Sequence, residues 1–200
     1  MFFESNETII LASASPRRKE LLSSLGLPFI VHASDVEERP IENGELPETY
    51  AQSLSSIKAS AIYEDHPGAL IIGADTIVTI NGKVFPKPKT ASQAVKFLQE
   101  LSGQTHSVIT GVTLLREGAC TQFTSTTEVT FQNLDQSLIE AYAATGDPLD
   151  KAGGYGIQTA GGLLVAEISG DYNNVVGLPI AELAHVLRKE SLIWVKGDKR

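Results

Sequence analysis

The order of apolar and polar positions along the chain predicts an alternation of strands and helices. Asn81-Gly82 is a strong signal for a two-residue hairpin turn between two strands. Two long runs near the middle of the chain, one of which alternates polar and apolar residues, indicate an antiparallel pair. Apolar runs of strand length occur at residues 8–13, 28–33, 69–80, 83–85, 106–115, 119–131 and 163–168.

Helix start signals fall between these runs. Ser15 suits the N-cap position and Pro16 the first helical position, because serine accepts from a free backbone N–H and proline has none to lose. A stripe of leucines follows, and Gly26 offers a stop. Because strands, helices and hairpins are mixed, we expect an α/β fold with a mixed sheet rather than a purely parallel one. Further helices are predicted from Pro47, with an apolar stripe of Tyr50, Leu54, Ile57 and Ala61; from Thr90, through a capping box; from Asp135; and over residues 179–189.

Composition and charge narrow the class of protein. The chain has 200 residues, 42% of them apolar, and a formal net charge of −8. This size fits one α/β domain at residues 1–195, as one body or as two lobes around a cleft, with a frayed tail at 196–200. The negative charge argues against general binding to nucleic acid or to anionic membranes, although it allows one local anion site.

The number of cysteines and the N-terminal segment indicate in which cellular compartment the protein works. A single cysteine, Cys120, allows no internal disulfide and no cysteine zinc cluster, which suits a reducing compartment. The N-terminal apolar run is too short for a signal peptide, and no apolar stretch approaches the length of a membrane span. We therefore expect a cytoplasmic protein.

Arg17 and Arg18 stand at the unfavourable end of their predicted helix. The first turn of a helix carries partial positive charge and free N–H groups, so carboxylates rather than guanidinium groups belong there. A bound phosphate would explain both arginines, held by the helix start, by the hydroxyls of Ser13 and Ser15 and by the two guanidinium groups. The alternative is a pair of solvated surface arginines, and this stretch alone leaves the two interpretations even.

Acidic residues follow two of the predicted strands. Asp75 comes where a buried apolar run ends at Gly73-Ala74, and a buried carboxylate there is explained by a metal ion or by a water to deprotonate. Glu37 and Glu38 follow another run, and a carboxylate there is a natural second ligand if Asp75 binds Mg²⁺. Taken singly, a turn aspartate and a solvated acidic loop are the favoured interpretations.

Basic and glycine-rich segments supply the other candidates. Lys87 lies between two prolines on a stiff loop, which makes it a better phosphate ligand than Lys58 on its helix. The glycines of residues 151–158 permit close backbone approaches, and the Gln158 amide offers both donors and an acceptor to the edge of a base. Surface lysines and a flexible loop are the alternatives. The histidines show no metal-ligand spacing, and we expect His106 to be structural.

Taken together, these segments resemble the Maf family of nucleoside triphosphate pyrophosphatases. A chance match of all of them, in family order over nearly the whole chain, is implausible, so the set is specific where each piece is not. The resembling stretches run from residue 9 to about 190 and are LASASPRRKELL, Glu37-Glu38, IKA around Lys58, GADTIV, Lys87-Pro88, SGQTHSVITGV, GDPLDKAGGYGIQ and GDYNNVVGLP.

The resemblance implies a fold, a reaction and a cofactor. The implied fold is a mixed α/β one, with a curved central sheet flanked by helices and a deep nucleotide cleft, similar to the inosine triphosphatase fold. The implied reaction is hydrolysis between the α and β phosphates of a nucleoside triphosphate, with Mg²⁺ or Mn²⁺ as the divalent cation. A homodimer is common among similar proteins, and the family name implies a link to septum formation.

The resemblance also implies roles for single residues. Asp75 matches the proton acceptor, and Glu38, which is preferred over the adjacent Glu37, matches another cleft residue. Our mechanistic hypothesis is that these two carboxylates hold the metal. Arg17, Thr76 and Gln158 match positions tied to substrate choice. The residues assigned to phosphate binding are Ser13, Ser15, Arg18, Lys58 and Lys87.

The subgroup of the family can be predicted as well. The stretch DKAGGYGIQ resembles members that hydrolyse dTTP and UTP, and sometimes modified pyrimidine triphosphates, although Gly154 stands where alanine is common. The alternative function is a nucleotide-binding regulator of septum formation with little turnover, which would not need a base beside a metal. A single-stranded RNA binder fits poorly with the net charge and the few aromatic residues.

Overall fold

In the computed structural model, which describes residues 2–198, a seven-stranded mixed sheet forms the centre of the molecule, and β1 and β9 form a separate pair. The strands are β1 (Phe3–Glu4), β2 (Ile9–Leu11), β3 (Ile30–Val31), β4 (Leu70–Ile80), β5 (Lys83–Phe85), β6 (Thr105–Arg116), β7 (Ala119–Phe131), β8 (Val165–Ser169) and β9 (Trp194–Val195). The helices are α1 (Pro16–Ser23), α2 (Pro47–Tyr63), α3 (Ala91–Leu101), α4 (Gln136–Ala144), α5 (Tyr172–Val176) and α6 (Ile180–Lys189).

Parallel and antiparallel pairing coexist in the central sheet, as the sequence predicted. Its order is β3-β2-β4-β6-β7-β8, and β5 also pairs with β4. Strand β2 is parallel to β3 and β4, whereas all other pairs in the sheet are antiparallel. The hairpin prediction is confirmed, because Asn81 (φ 51°) and Gly82 (φ 78°) both adopt the left-handed conformation that its tight turn requires.

Side-chain caps mark three of the predicted helix starts, at Ser15, Thr90 and Asp135. The hydroxyl of Ser15 accepts from the backbone N–H of Arg18, and Pro16 occupies the first position of α1. The carboxylate of Asp135 accepts from Leu138 N at 2.8 Å at the start of α4. At Thr90 the capping box is incomplete, because the Gln93 side chain accepts from Lys89 N and not from Thr90 N.

Helix α2 packs closely on the sheet, and this contact determines which of its residues are buried. A Cβ on Gly73 would lie 2.3 Å from the carbonyl oxygen of Ser55, and one on Gly111 would lie 2.4 Å from that of Ala51. The small side chains of α2 therefore face the sheet, and Ile57, predicted to be buried, is 37% exposed. The prediction that Ile57 belongs to the buried stripe is wrong, because it was based on the spacing of large residues and took no account of this close approach.

Other sequence predictions differ from the structure in extent. Asp75 does not follow the end of its strand; it lies in the middle of β4, which runs without a break from Leu70 to Ile80. The strand expected at 28–33 shrinks to the two residues of β3. The patterning did not reveal β1, β9 or α5, because elements of two to five residues are too short to show a period.

The two ends of the described chain share one hydrophobic cluster. Phe3, Leu11, Leu22, Leu183 and Ile193 belong to it, so α1 and α6 cover the same side of the sheet. This shared cluster supports one domain over 1–195, which stays a prediction.

Two further expectations concern the C-terminal tail and the absence of a membrane-spanning segment. In the predicted tail, Lys196 N donates to Phe2 O at 3.1 Å, whereas Lys199 and Arg200 lie outside the described residues. Within residues 2–198, no helix has the length and apolar character needed to cross a membrane.

Replacing Gly111 should loosen the contact between α2 and the sheet. We expect Gly111→Ala to lower the free energy of unfolding by about 1–3 kcal/mol, because the added methyl group meets the rigid helix backbone. Urea denaturation measures the change. Gly68→Ala is the matched control, since nothing lies within 4 Å of a Cβ at that position. Equal stability of the two variants would contradict the close packing.

Candidate functional site

The candidate site lies beside a gap in the sheet along one edge of β4. On that edge β2 pairs with Leu70–Ile72 and β5 pairs with Val78–Ile80. Within the described part of the chain, the residues between these two stretches pair only with β6, on the opposite edge. A cleft of about 420 Å³ opens at the gap.

All of the candidate residues predicted from the sequence line this cleft. They come from segments far apart along the chain, and the fold brings them together at the N-terminus of α1, on α2, on β4 and on the loops after β3, β5 and α4. They are Ser13, Ser15, Arg17, Arg18, Glu38, Lys58, Asp75, Thr76, Lys87 and Gln158.

Two carboxylates share one ammonium group in the cleft. Lys58 Nζ donates to Asp75 Oδ1 and to Glu38 Oε1, the latter at 2.7 Å. Asp75 is 5% exposed, so its carboxylate depends on this partner in place of water. Between the adjacent acids that the sequence left open, Glu38 contacts Lys58, whereas Glu37 is exposed and does not line the cleft.

Burial and charge shift the two carboxyl groups in opposite directions. Burial raises the pKa of Asp75, and the charges of Lys58 and Arg18 only partly oppose this effect. Burial also raises the pKa of Glu38, but the hydrogen bond and charge of Lys58 outweigh it, so the net pKa lies below the ordinary value. Perturbed carboxyl groups that meet in a cleft are typical of functional sites.

Arg18 joins three parts of the fold at the cleft wall. Its Nη1 donates to Ser13 Oγ at 3.2 Å, its Nη2 to Thr76 Oγ1 at 2.9 Å, and its Nε to Gly177 O at 2.8 Å. These bonds connect α1 with β4 and with the end of α5. Desolvation lowers the pKa of this guanidinium and the charge of Asp75 opposes that change.

Arg17 lies at the rim of the cleft and faces the glycine-rich segment. Its Nη1 donates to Asp150 Oδ2 at 3.0 Å, and the same carboxylate accepts from Lys151 Nζ at 2.6 Å. Lys151 is buried and also contacts Asp147. The glycine-rich segment, for which a flexible loop was the alternative interpretation, is held by charge pairs and forms three short 3₁₀ turns.

Lys87 and Gln158 are two exposed members of the set. Both side chains line the cleft, and neither has a hydrogen-bond partner among residues 2–198. The charge of Lys87 nevertheless helps to lower the pKa of Glu38. Groups of this kind are free to bind a ligand without first breaking a contact within the protein.

His106 is fully buried beside the cleft. Its Nε2 lies 2.8 Å from Tyr155 Oη, and burial lowers the pKa of the imidazole to about 4, so the ring is neutral at pH 7. Tyr155 lines the cleft, and both rings pack edge-on against Phe131. His106 thus supports the cleft wall from behind.

Sequence reasoning missed several polar residues that surround the site. Thr110 and Asn174 are buried and belong to the hydrogen-bond network of Thr76, and Asp150 pairs with Arg17. The sequence did contain a signal for Thr110, because this polar residue occupies a position of the alternating pattern of β6 at which apolar residues are otherwise found. Asn174 and Asp150 lie in short or irregular segments, where no period reveals which side chains turn inward.

Comparisons with known proteins show which family this chain resembles over most of its length. The family described as "Maf-like protein" matches residues 8–190. The dTTP/UTP pyrophosphatase of Bacillus cytotoxicus is 49% identical over 180 residues, covering 90% of this chain and 94% of that protein. The dTTP/UTP pyrophosphatase of Bacillus pumilus is 50% identical over 179 residues, with coverage of 90% and 94%.

The similarity to a solved structure is weaker. The crystal structure of a Vibrio cholerae protein is 11% identical, with a TM-score of 0.33 over 70% of this chain and 67% of that chain, and it carries no argument here. The family match and the relatives each span most of the chain, and every stretch on which the resemblance rested falls within or overlaps residues 8–190. The chain therefore belongs to the Maf-like protein family.

Proposed function

We propose that this protein is a nucleoside triphosphate pyrophosphatase that hydrolyses dTTP and UTP to the monophosphate and pyrophosphate. The observation that carries the proposal is the meeting of two carboxylates, the buried Asp75 and the more exposed Glu38, with a set of cationic side chains in one cleft. The names of the Bacillus relatives support the choice of substrates.

Asp75 is the proposed general base. Burial raises its pKa, and a base is most effective when its pKa approaches the working pH. Its carboxylate would orient a water molecule and take a proton from it as the water attacks in line. The bond between the α and β phosphates then breaks, so that positioning and charge stabilisation do most of the work. Lys58 holds the carboxylate in place.

The cationic side chains around Asp75 are the proposed phosphate ligands. Arg17 and Lys87 lie at the rim, and Arg18 and Lys58 lie deeper in the cleft. Ser13 and Ser15 add hydroxyl groups beside the start of α1, where the free N–H groups and the helix dipole favour an anion. Preorganised positive charge of this kind stabilises the charge that develops in the transition state.

Asp75 and Glu38 are the proposed ligands of a divalent metal, Mg²⁺ or Mn²⁺. They already share one cation, the Lys58 ammonium group, and carboxylate oxygens are the ligands that such metals prefer. Among the described residues no third acidic, histidine or cysteine side chain completes a cage, which fits Mg²⁺ because it takes its other ligands from water and phosphates. The bound metal would neutralise charge on the triphosphate.

Thr76 and Gln158 are the proposed ligands of the pyrimidine edge. The Gln158 amide is exposed in the cleft, and the Thr76 hydroxyl lies on the opposite face of β4 from Asp75. A site built on hydrogen bonds rejects a wrong base because its own polar groups are then left unpaired. A homodimer and a role in septum formation stay predictions of the family resemblance, and a cytoplasmic location stays a prediction of the composition.

A panel of nucleotides tests the proposed reaction. Purified protein with Mg²⁺ should release pyrophosphate from dTTP and UTP, and much less from CTP, dCTP, ATP, GTP or 7-methyl-GTP. A coupled pyrophosphate assay measures the rates. Release from 7-methyl-GTP instead would support the proposed reaction but contradict the predicted preference for uracil and thymine nucleotides. Tight nucleotide binding without any release would favour the alternative, a regulator with little turnover.

Replacing the proposed general base, Asp75, should lower activity without lowering stability. We expect Asp75→Asn to lower kcat by about 10²–10⁴-fold. Because burial raises the pKa of Asp75, its ionisation weakens the folded state, and this loss builds up as the pH rises above the ordinary range of an aspartate. Asp75→Asn should therefore melt at a higher temperature than the wild type at pH 8, with a difference that shrinks towards pH 4. A lower melting temperature at pH 8 would contradict the raised pKa.

Adjacent glutamates provide a matched test of the metal site. Glu38→Gln should raise the Mg²⁺ concentration needed for half-maximal activity by about tenfold or more, since losing a partner of a metal site costs at least that much affinity. Glu37→Gln should leave it unchanged, because Glu37 does not line the cleft. Titration of activity with Mg²⁺ measures both variants, and equal shifts would exclude Glu38 as the ligand.

A further inference from the structure

The hydroxyl of Thr76 is surrounded by polar groups of the protein. Its Oγ1 accepts from Arg18 Nη2 at 2.9 Å and lies 2.9 Å from Thr110 Oγ1 and 3.4 Å from Gly177 O. A hydroxyl has one proton to donate and two lone pairs that accept. The direction of each bond therefore decides what Thr76 can offer to a ligand.

Thr110 determines where the proton of Thr76 goes. Thr110 lies directly opposite Thr76 in the pairing of β4 with β6 and has no exposed surface. Its Oγ1 donates to Asn174 O at 3.2 Å, which leaves its lone pairs to accept from Thr76. If Thr110 donates to Thr76 instead, Gly177 O is the protein acceptor within reach of the Thr76 proton. In both arrangements the protein itself provides an acceptor for the proton of Thr76.

The partner of Thr110 is itself fixed. Asn174 is buried, and its Nδ2 donates to Val108 O at 2.9 Å and to Thr127 Oγ1 at 3.0 Å. These bonds anchor α5 to β6 and β7, so the carbonyl oxygen of Asn174 cannot move away from Thr110 without breaking them. The shorter bonds favour the arrangement in which Thr110 donates to Asn174, and a lone pair of Thr76 then remains available in the cleft.

We propose that Thr110 is a positioning residue that makes Thr76 a hydrogen-bond acceptor in the cleft, and that it thereby favours pyrimidines carrying a proton on N3. Uracil and thymine present an N3–H group that can donate to Thr76. N3 of cytosine is itself an acceptor, so it would face the acceptor oxygen of Thr76 without a proton between them. The inference rests on the proposed function, in which Thr76 contacts the pyrimidine edge. It assigns discrimination between bases to a buried threonine that does not line the cleft.

Thr110→Val tests this role, because it removes the hydroxyl and nearly keeps the shape. Without Thr110 Oγ1, the protein acceptor left for the Thr76 proton is Gly177 O, which is 3.4 Å away and already accepts from Arg18 Nε. Thr76 can therefore turn its proton towards the ligand and accept cytosine. We expect the ratio of kcat/KM for UTP to that for CTP to fall by about tenfold, the scale of one misdirected hydrogen bond. Thr110→Ser, which keeps the hydroxyl, should retain the wild-type ratio. Steady-state pyrophosphate release measures all of them.

Thr113→Val is the matched control on the same strand. Thr113 is equally buried, but its hydroxyl faces α2, where it lies 2.8 Å from Ser55 Oγ and accepts from Gln122 Nε2. This variant should keep the UTP to CTP ratio while showing a comparable change in melting temperature. A shift of the ratio in Thr113→Val equal to that in Thr110→Val would overturn the proposal, since it would reflect a general disturbance of β6.

Other outcomes are equally decisive. An unchanged ratio in Thr110→Val, or an equal loss of kcat/KM for both nucleotides, overturns the positioning role and leaves the proposed function intact. If Thr110→Val does not fold, the pair Thr110→Ala and Thr110→Ser isolates the same hydroxyl without added bulk, and only the alanine variant should lose discrimination. Failure of the wild type to release pyrophosphate from UTP would instead refute the proposed function itself.

Discussion

Helix α2 rests on the backbone of the sheet, and the ion pair of Lys58 with Asp75 depends on that contact. Gly73 and Gly111 leave no room for a side chain beneath the helix, and small residues of α2 face them. The helix then lies close enough for Lys58 to reach a carboxylate that β4 has withdrawn from water. A buried carboxylate without such a partner would be protonated or would destabilise the fold. The charge balance of the cleft is therefore set by how closely two elements pack.

The gap along β4 explains how one short stretch serves two kinds of chemistry. Successive side chains of a strand point to opposite faces of the sheet. Asp75 accordingly meets α2, whereas Thr76 meets Arg18 and Thr110 on the other face. In a fully paired sheet these faces would be separated by neighbouring strands. Because β2 and β5 leave the edge of β4 open between them, one cleft reaches the proposed base and the proposed specificity residue together.

Local signals in the sequence predicted local structure well. The cap at Ser15 and the hairpin at Asn81-Gly82 depend on residues that are neighbours in the chain, and both are confirmed. The candidate residues, whose roles stay predictions, all line one cleft, and it was the family resemblance rather than their spacing that grouped them. What the pattern could not give was the surroundings of those residues. The exposure of Ile57 follows from how α2 packs on the sheet, and the burial of Asp75 beside Lys58 also depends on that packing, which no period along one segment encodes.

The two arginines at the start of α1 now have different explanations. Arg18 is part of the wall, since its guanidinium group joins Ser13, Thr76 and the carbonyl of Gly177, and the charge of Asp75 favours its positive form. Arg17 is paired with Asp150 at the rim, where a surface ion pair is weak and easily exchanged for another anion. The unfavourable position at a helix N-terminus is tolerated at Arg18 because its partners are built into the fold. At Arg17 it is tolerated because the carboxylate of Asp150 pairs with the guanidinium group, at the place proposed for a phosphate.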